Sequence, residues 1–167
     1  MSSLSDPDRL AALERSGLLL KGAGERFHHV CYSVVQLLRC DASMLNVITA
    51  SQQIFVAEYP PSVVERVPVP VEDSGCREVV LARNTLVIPN TREHPIMCVR
   101  KWTQEWGGYL GTPVHFDGHI IGSLCALSHQ PREWTHHDKL AIETFGALVA
   151  DSMRAYTPGP TWYETGQ

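Results

Sequence analysis

Residues 109–127 read "YLGTPVHFDGHIIGSLCAL". Asp117-Gly118 is a strong hairpin signal, because a two-residue type I′ turn needs positive φ at both central positions. With Phe116 opposite His119, an uninterrupted ladder sets Gly122 against Pro113 and Gly111 against Leu124. Side chains alternate between faces. That register puts Gly111, Gly122, Tyr109 and Leu124 on one face, and Leu110, Val114, Ser123 and Cys125 on the other. Two glycines on one face make a shallow trough, which admits either a close-packed helix or a ligand.

Working outward, "PREWTHHDKLAIETFGALVADSMRAY" predicts a long last helix capped by Thr135, with Ala141, Phe145, Leu148, Val149 and Ser152 facing inward. On the other side, "EDSGCREVVLARN" reads as a short helix behind Asp73 or Ser74, and "TLVIP" as a short strand. A further helical piece is expected around 99–105. The four prolines of "YPPSVVERVPVPV", residues 59–71, exclude a helix or a central strand and predict a covering loop. "ASMLNVITA" and "QQIFVAEY" form a second hairpin. Near the N-terminus, Asp6-Pro7 starts a helix that Gly17 ends, with Leu10 and Leu13 on its inner face. In the next helix Phe27, Val30, Cys31, Val34 and Leu38 fall on one apolar stripe. Helices at both ends of an antiparallel sheet give an α+β fold, with the terminal helices on one sheet face and the irregular residues 59–108 over the other.

The 167 residues suit one domain, read as 1–157, with a disordered tail at 158–167. A net charge of −4 without charge blocks speaks against nucleic acid as a partner. No apolar run is long enough to span a membrane, and the N-terminus lacks the pattern of a secretory signal, so the expected location is cytoplasmic. Five cysteines without C-x-x-C spacing read as reduced, packed thiols rather than as disulfides or a zinc knuckle. Adjacent histidines on a helix, as at 28–29 and 136–137, point about 100° apart and do not share a metal, so no metal site is assigned. No G-x-S-x-G and no Gly-rich phosphate loop is present.

"YLGTPVHFDGHIIGSLCALSHQPREWTHHD" resembles the C-terminal signature of GAF domains, Y-x-G-x-P followed by G-x-x-x-G-x-L-C and P-R-x-W. "DRLAALERSGLL" is similar to their first helix, and "DSGCREVVLARNTLVIPNTREHP" to their Cys-helix-strand-D-x-R-x-x-P segment, with Asn90 standing where many members have Asp. The resemblance covers roughly residues 8–155. It implies an antiparallel sheet of five or six strands, terminal helices on one face and a small-molecule pocket on the other. It also implies a stand-alone bacterial sensory or regulatory module rather than an enzyme, acting through a partner signalling protein or a homodimer. Leu140, Ala147 and Met153, off the main stripe of the last helix, are expected in such a dimer.

The family leaves the cofactor unknown. Cys76 is followed by Arg-Glu, unlike the aromatic or His of bilin-binding members, and the N-K-x-F-D-E motif of cyclic-nucleotide-binding members is absent. Ligand-binding candidates are Cys76, His94, Trp102, Tyr109, Gly111 and Gly122, with Trp102, Trp106 and Tyr109 as a stacking wall. One branch of the family implies an enzyme. Free methionine-(R)-sulfoxide reductases use thiols in this region: Cys98 in "HPIMCV" is similar in place to their catalytic Cys, and Cys76 to an additional one. Such chemistry needs a carboxylate, for which Glu93 or Asp73 is available. The alternative within the same pair is a redox-sensing Cys76–Cys98 disulfide.

Overall fold

A computed structural model describes residues 3–155. The tail expected at 158–167 lies outside the described residues.

Among the described residues are four α-helices and six strands: α1 (Pro7–Arg15), α2 (His28–Leu38), β1 (Ala42–Ile48), β2 (Gln52–Tyr59), β3 (Val69–Pro70), α3 (Cys76–Ala82), β4 (Leu86–Ile88), β5 (Gly108–Phe116), β6 (His119–Ser128) and α4 (His136–Ala155). The strands form one sheet in the order β3-β2-β1-β6-β5-β4, with every neighbouring pair antiparallel. β3 is two residues long and sits at the edge, as the proline density of its segment requires. Short 3₁₀ turns at Val71–Asp73, Met97–Val99 and Lys101–Gln104 complete the cover over one face.

Local chemistry sets the boundaries. The Asp6 carboxylate caps α1 through the Asp8 amide, and Gly17 follows at φ 75°. Ser74 caps α3 by accepting from the Arg77 amide. Thr135 and Asp138 exchange hydrogen bonds as a capping box for α4. Arg132, in the segment before α4, donates to the Leu38 and Arg39 carbonyls at the end of α2 and lies over the Trp134 ring. Trp134 in turn donates to the Ile88 carbonyl of β4, so this segment ties three elements together.

The sheet separates two cores. On one side α1, α2 and α4 bury Leu13, Phe27, Val34, Leu38, Ile142 and Val149 against Leu45, Val47, Leu110 and Leu124. On the other, α3 and the 3₁₀ turns bury Val79, Val80 and Met97 against Met44, Ile48, Tyr109 and Leu127. The stripe expected on α2 is buried in full.

Two helices present a different face from the one their periodicity predicts. On α1 the side chains turned inward are Arg9, Ala12 and Leu13, not Leu10. On α4 Val149 is buried and Ala141 and Phe145 pack against the core as expected, but Ile142, Gly146, Ala150 and Met153 are buried with them, while Leu148 and Ser152 are exposed. The reason on α4 is closeness. A Cβ at Gly146 would stand 2.8 Å from the Thr112 methyl on β5, so the helix seats its small residues on the strand and Leu148 rotates outward. Met153 is therefore core, leaving Leu140 and Leu148 as the exposed leucines of α4.

The hairpin register also departs from the expected one. Asp117 and Gly118 both have positive φ, and Phe116 pairs with His119 and His115 with Ile120. Beyond them the ladder slips by one residue, so that Val114 pairs with Gly122 and Gly111 with Cys125. This β-bulge puts an extra residue into β6 and reverses the face of everything beyond it. The two glycines thus lie on opposite faces, and no common trough exists. Gly122 faces the helices beside Val47, where a Cβ would overlap the Asn46 carbonyl and stand 2.9 Å from the Val47 Cα. Gly111 faces the loop cover, where a Cβ would meet the Tyr109 ring, with Cε1 at 2.7 Å. One glycine admits a neighbouring backbone, and the other leaves room for a tyrosine of its own strand.

Candidate functional site

The slip carries Cys125 to the face that also bears Tyr109. There the sheet and its cover enclose a cavity of ≈ 310 Å³, within the range typical of small-molecule sites. Its buried floor is Asn46, Cys76, Tyr109 and Cys125, its walls are Phe55, Trp102 and Trp106, and the exposed Arg66, Asp73, Lys101 and Glu105 mark its mouth.

Each floor residue has a structural reason to be there. Cys76 is the first residue of α3, and the Trp102 ring lies so close to Gly75 that a Cβ there would stand 2.7 Å from it. Trp102 also meets the Tyr109 ring, with centroids 5.8 Å apart. The Cys76 sulfur accepts from Asn46 Nδ2 at 3.4 Å and from Tyr109 Oη at 3.4 Å. Asn46 is on β1 and Tyr109 on β5, the strands flanking β6, so the sulfur sits above β6 at Ser123 and Cys125. The Cys125 side chain lies beside it on the same cavity floor.

These neighbours decide the protonation of Cys76. The adjacent Cys125 side chain, helped by Asn46 and Tyr109, outweighs burial and lowers the thiol to about 6. Its two partners move the other way. Cys125 rises because it lies beside Cys76 and is buried, and Tyr109 rises because it is buried beside Cys76. By contrast, burial pushes Cys31 up to about 12 and Cys40 to about 11. The floor contacts therefore favour the thiolate at Cys76 over that of the other buried thiols. Iodoacetamide modification of Cys76, followed by peptide mass spectrometry, should show a rate that rises through pH about 6 and is flat above it, while Cys31 and Cys40 stay unmodified at neutral pH. A midpoint at the ordinary thiol value would remove the floor hydrogen bonds from this account.

Two polar atoms of the lining have no partner: Asn46 Oδ1 on the floor and Trp102 Nε1 on the wall. Buried polar atoms ordinarily find partners, and an acceptor and a donor left open along one cavity are what a bound molecule would satisfy.

Of the residues singled out in the sequence, Cys76, Trp102 and Tyr109 line this cavity. His94, Gly111, Gly122 and Cys98 are not among the lining residues. The His94 ring accepts from the Ile96 and Met97 amides and serves its own turn. Cys98 is exposed on the turn beyond it, so Cys76 and Cys98 do not share the pocket. Asn90 likewise caps a turn, accepting from the Arg92 amide, and is not part of the rim. Sequence reasoning missed Asn46, Ser123 and Cys125. The alternation of β1 pointed to a strand but not to which face meets a ligand, and the bulge moved Ser123 and Cys125 across the sheet.

A 47-residue stretch is 34% identical to the diguanylate cyclase DgcP of Escherichia coli K12, a match that spans 28% of this chain and 14% of that protein. The GAF domain of a phosphoenolpyruvate-protein phosphotransferase from Coxiella burnetii superposes with a TM-score of 0.68 over 89% of this chain and 92% of its own, at 14% identity. A type II free methionine-R-sulfoxide reductase from Thermoplasma acidophilum does so with a TM-score of 0.66 over 80% of this chain and 94% of its own, at 15% identity. These two likenesses are of fold. The sequence itself matches the GAF domain family over residues 23–153, from the turn before α2 to the last buried residue of α4. With the single six-stranded sheet covered on both faces, that match makes the chain a member of the GAF domain family.

Proposed function

We propose that the protein is a sensory or regulatory module whose pocket takes a small, flat, polar molecule. The observation that carries this reading is that an unpartnered acceptor, Asn46 Oδ1 on the floor, and an unpartnered donor, Trp102 Nε1 on the wall, belong to the lining of one cavity. A ligand that offers one N–H or O–H and one acceptor satisfies both, and the Trp102, Trp106 and Phe55 rings supply faces for stacking. Arg66 and Lys101 at the mouth, balanced by Asp73 and Glu105, suit a zwitterionic or neutral molecule better than a strongly anionic one.

The experiment is mass spectrometry of small molecules released from the purified, denatured protein, followed by calorimetric titration of each candidate. Trp102→Ala should weaken binding at least about 10-fold, roughly 1.4 kcal/mol. Equal affinity in the variant, or no molecule released and none bound from a metabolite panel, would sink the reading. The output is proposed to leave through a partner protein or a second copy of the chain. Leu37, Leu140 and Leu148 stand exposed on the outer surfaces of α2 and α4.

A second reading, a thiol-based reductase like the Thermoplasma acidophilum protein, is favoured by the activated Cys76 on the pocket floor. With Cys98 outside the pocket, Cys76 becomes the attacking sulfur in that reading. NADPH consumption with thioredoxin and free methionine sulfoxide tests it, and no consumption beyond a Cys76→Ser control rejects it.

A further inference from the structure

We propose that Cys76 and Cys125 are a modification site in their own right: a small hydroperoxide entering the pocket oxidises them to a disulfide across its floor. The case rests on placement. Cys76 reaches over β6 by its hydrogen bonds to β1 and β5, and Cys125 is the β6 thiol beneath it. Both cysteines are buried and line one cavity whose mouth is open. The unpartnered Asn46 Oδ1 is buried in the same lining and can accept from a hydroperoxide O–H. Of the other thiols, Cys31 and Cys40 lie in the helix-side core, and Cys98 is on the outer turn with its sulfur toward the Pro95 carbonyl.

The chemistry balances within the pair and one peroxide. The Cys76 thiolate attacks the outer peroxide oxygen, the O–O bond breaks, and the departing alkoxide takes a proton and leaves as an alcohol, or as water from hydrogen peroxide. Cys76 is then a sulfenic acid. The Cys125 thiol gives up its proton and its sulfur attacks the Cys76 sulfur. The S–S bond forms, the S–O bond breaks, and hydroxide leaves as water. Two thiols have lost two electrons and two protons, and the peroxide has accepted them. An external dithiol reverses the change by exchange. The disulfide draws the Cys76 sulfur away from Asn46 Nδ2 and Tyr109 Oη, which alters the floor of the pocket and the ring that Trp102 touches. The proposal does not depend on which small molecule the pocket holds.

The test treats the whole protein with dilute hydrogen peroxide, blocks free thiols with N-ethylmaleimide, and maps peptides with and without dithiothreitol. The expected product is a reducible link between the Cys76 and Cys125 peptides, accompanied by a change in tryptophan fluorescence. Cys98→Ser should form it at the parent rate. In Cys125→Ser, Cys76 should stop at the sulfenic acid and be trapped by dimedone. A Cys76–Cys98 link would overturn the proposal. So would recovery of Cys76 and Cys125 as free thiols in parent protein whose Cys98 is oxidised, a readout that stands even if Cys125→Ser fails to fold.

Discussion

Gly122→Leu should destabilise the fold by about 3 kcal/mol, the upper end for overpacking a full core. The atoms that a side chain would meet are the Asn46 carbonyl and the Val47 Cα of β1. A backbone paired with β2 on one side and β6 on the other cannot step aside as a flexible side chain can. Urea unfolding should show a lower midpoint with an unchanged slope. Gly111→Ala is the informative contrast. The atoms nearest its new methyl belong to the Tyr109 ring, a side chain that lines the cavity and can yield more readily than backbone. The stability loss should be smaller than for Gly122→Leu, while the Cys76 thiol, deprived of the Tyr109 donor, should titrate higher in the iodoacetamide assay. Equal stability losses at the two glycines would contradict the assignment of their faces.

Arg9→Met should also cost about 3 kcal/mol, because charged donors to buried acceptors are worth more than neutral ones and their loss leaves the acceptors bare. Arg9 is 1% exposed and donates to the Leu4, Ile48 and Ile120 carbonyls at 2.7, 2.8 and 3.3 Å. It fastens α1 across the ends of β1 and β6. Burial lowers its pKa, with Asp6 opposing, but a guanidinium remains charged. Arg9→Lys should recover only part of the loss, since one ammonium cannot reproduce the guanidinium's fork toward separated carbonyls. Loss of less than a few tenths of a kcal/mol in Arg9→Met by urea denaturation would show that the three carbonyls find other donors.

Much of the architecture was legible because short-range chemistry wrote it. Asp117-Gly118 announced its turn, Asp6, Ser74 and Thr135 their helices, and the α2 stripe its buried face. The motifs around Gly111, Gly122 and Pro131-Arg132 pointed to the family that the match over residues 23–153 establishes. What could not be read were decisions made at a distance. The direction in which α4 rolls is set by Gly146 meeting Thr112, and the burial of Arg9 by carbonyls that only the folded sheet brings to it. His94 and Cys98 carry reactive groups in the covering segment, yet local turn hydrogen bonds, not the pocket, hold them. Asn46 gave no signal at all, being one of two polar residues, with Ser43, in a strand buried along its whole length.

The extra residue in β6 also bears on how this chain is set beside its relatives. It behaves like a single inserted letter in a two-letter code, in which each position reads alternately helix layer or pocket layer. Columns counted forward from the Asp117-Gly118 turn and columns counted from the β1 pairing disagree by one, and only the second count keeps Cys125 with Tyr109. A relative whose strand lacks the insertion would, if matched letter by letter from its turn, appear to offer its ligand a residue that in fact packs against its helices. Specificity in such a sheet can therefore change by insertion or deletion at the hairpin tip, far from the pocket, without any substitution in the floor itself.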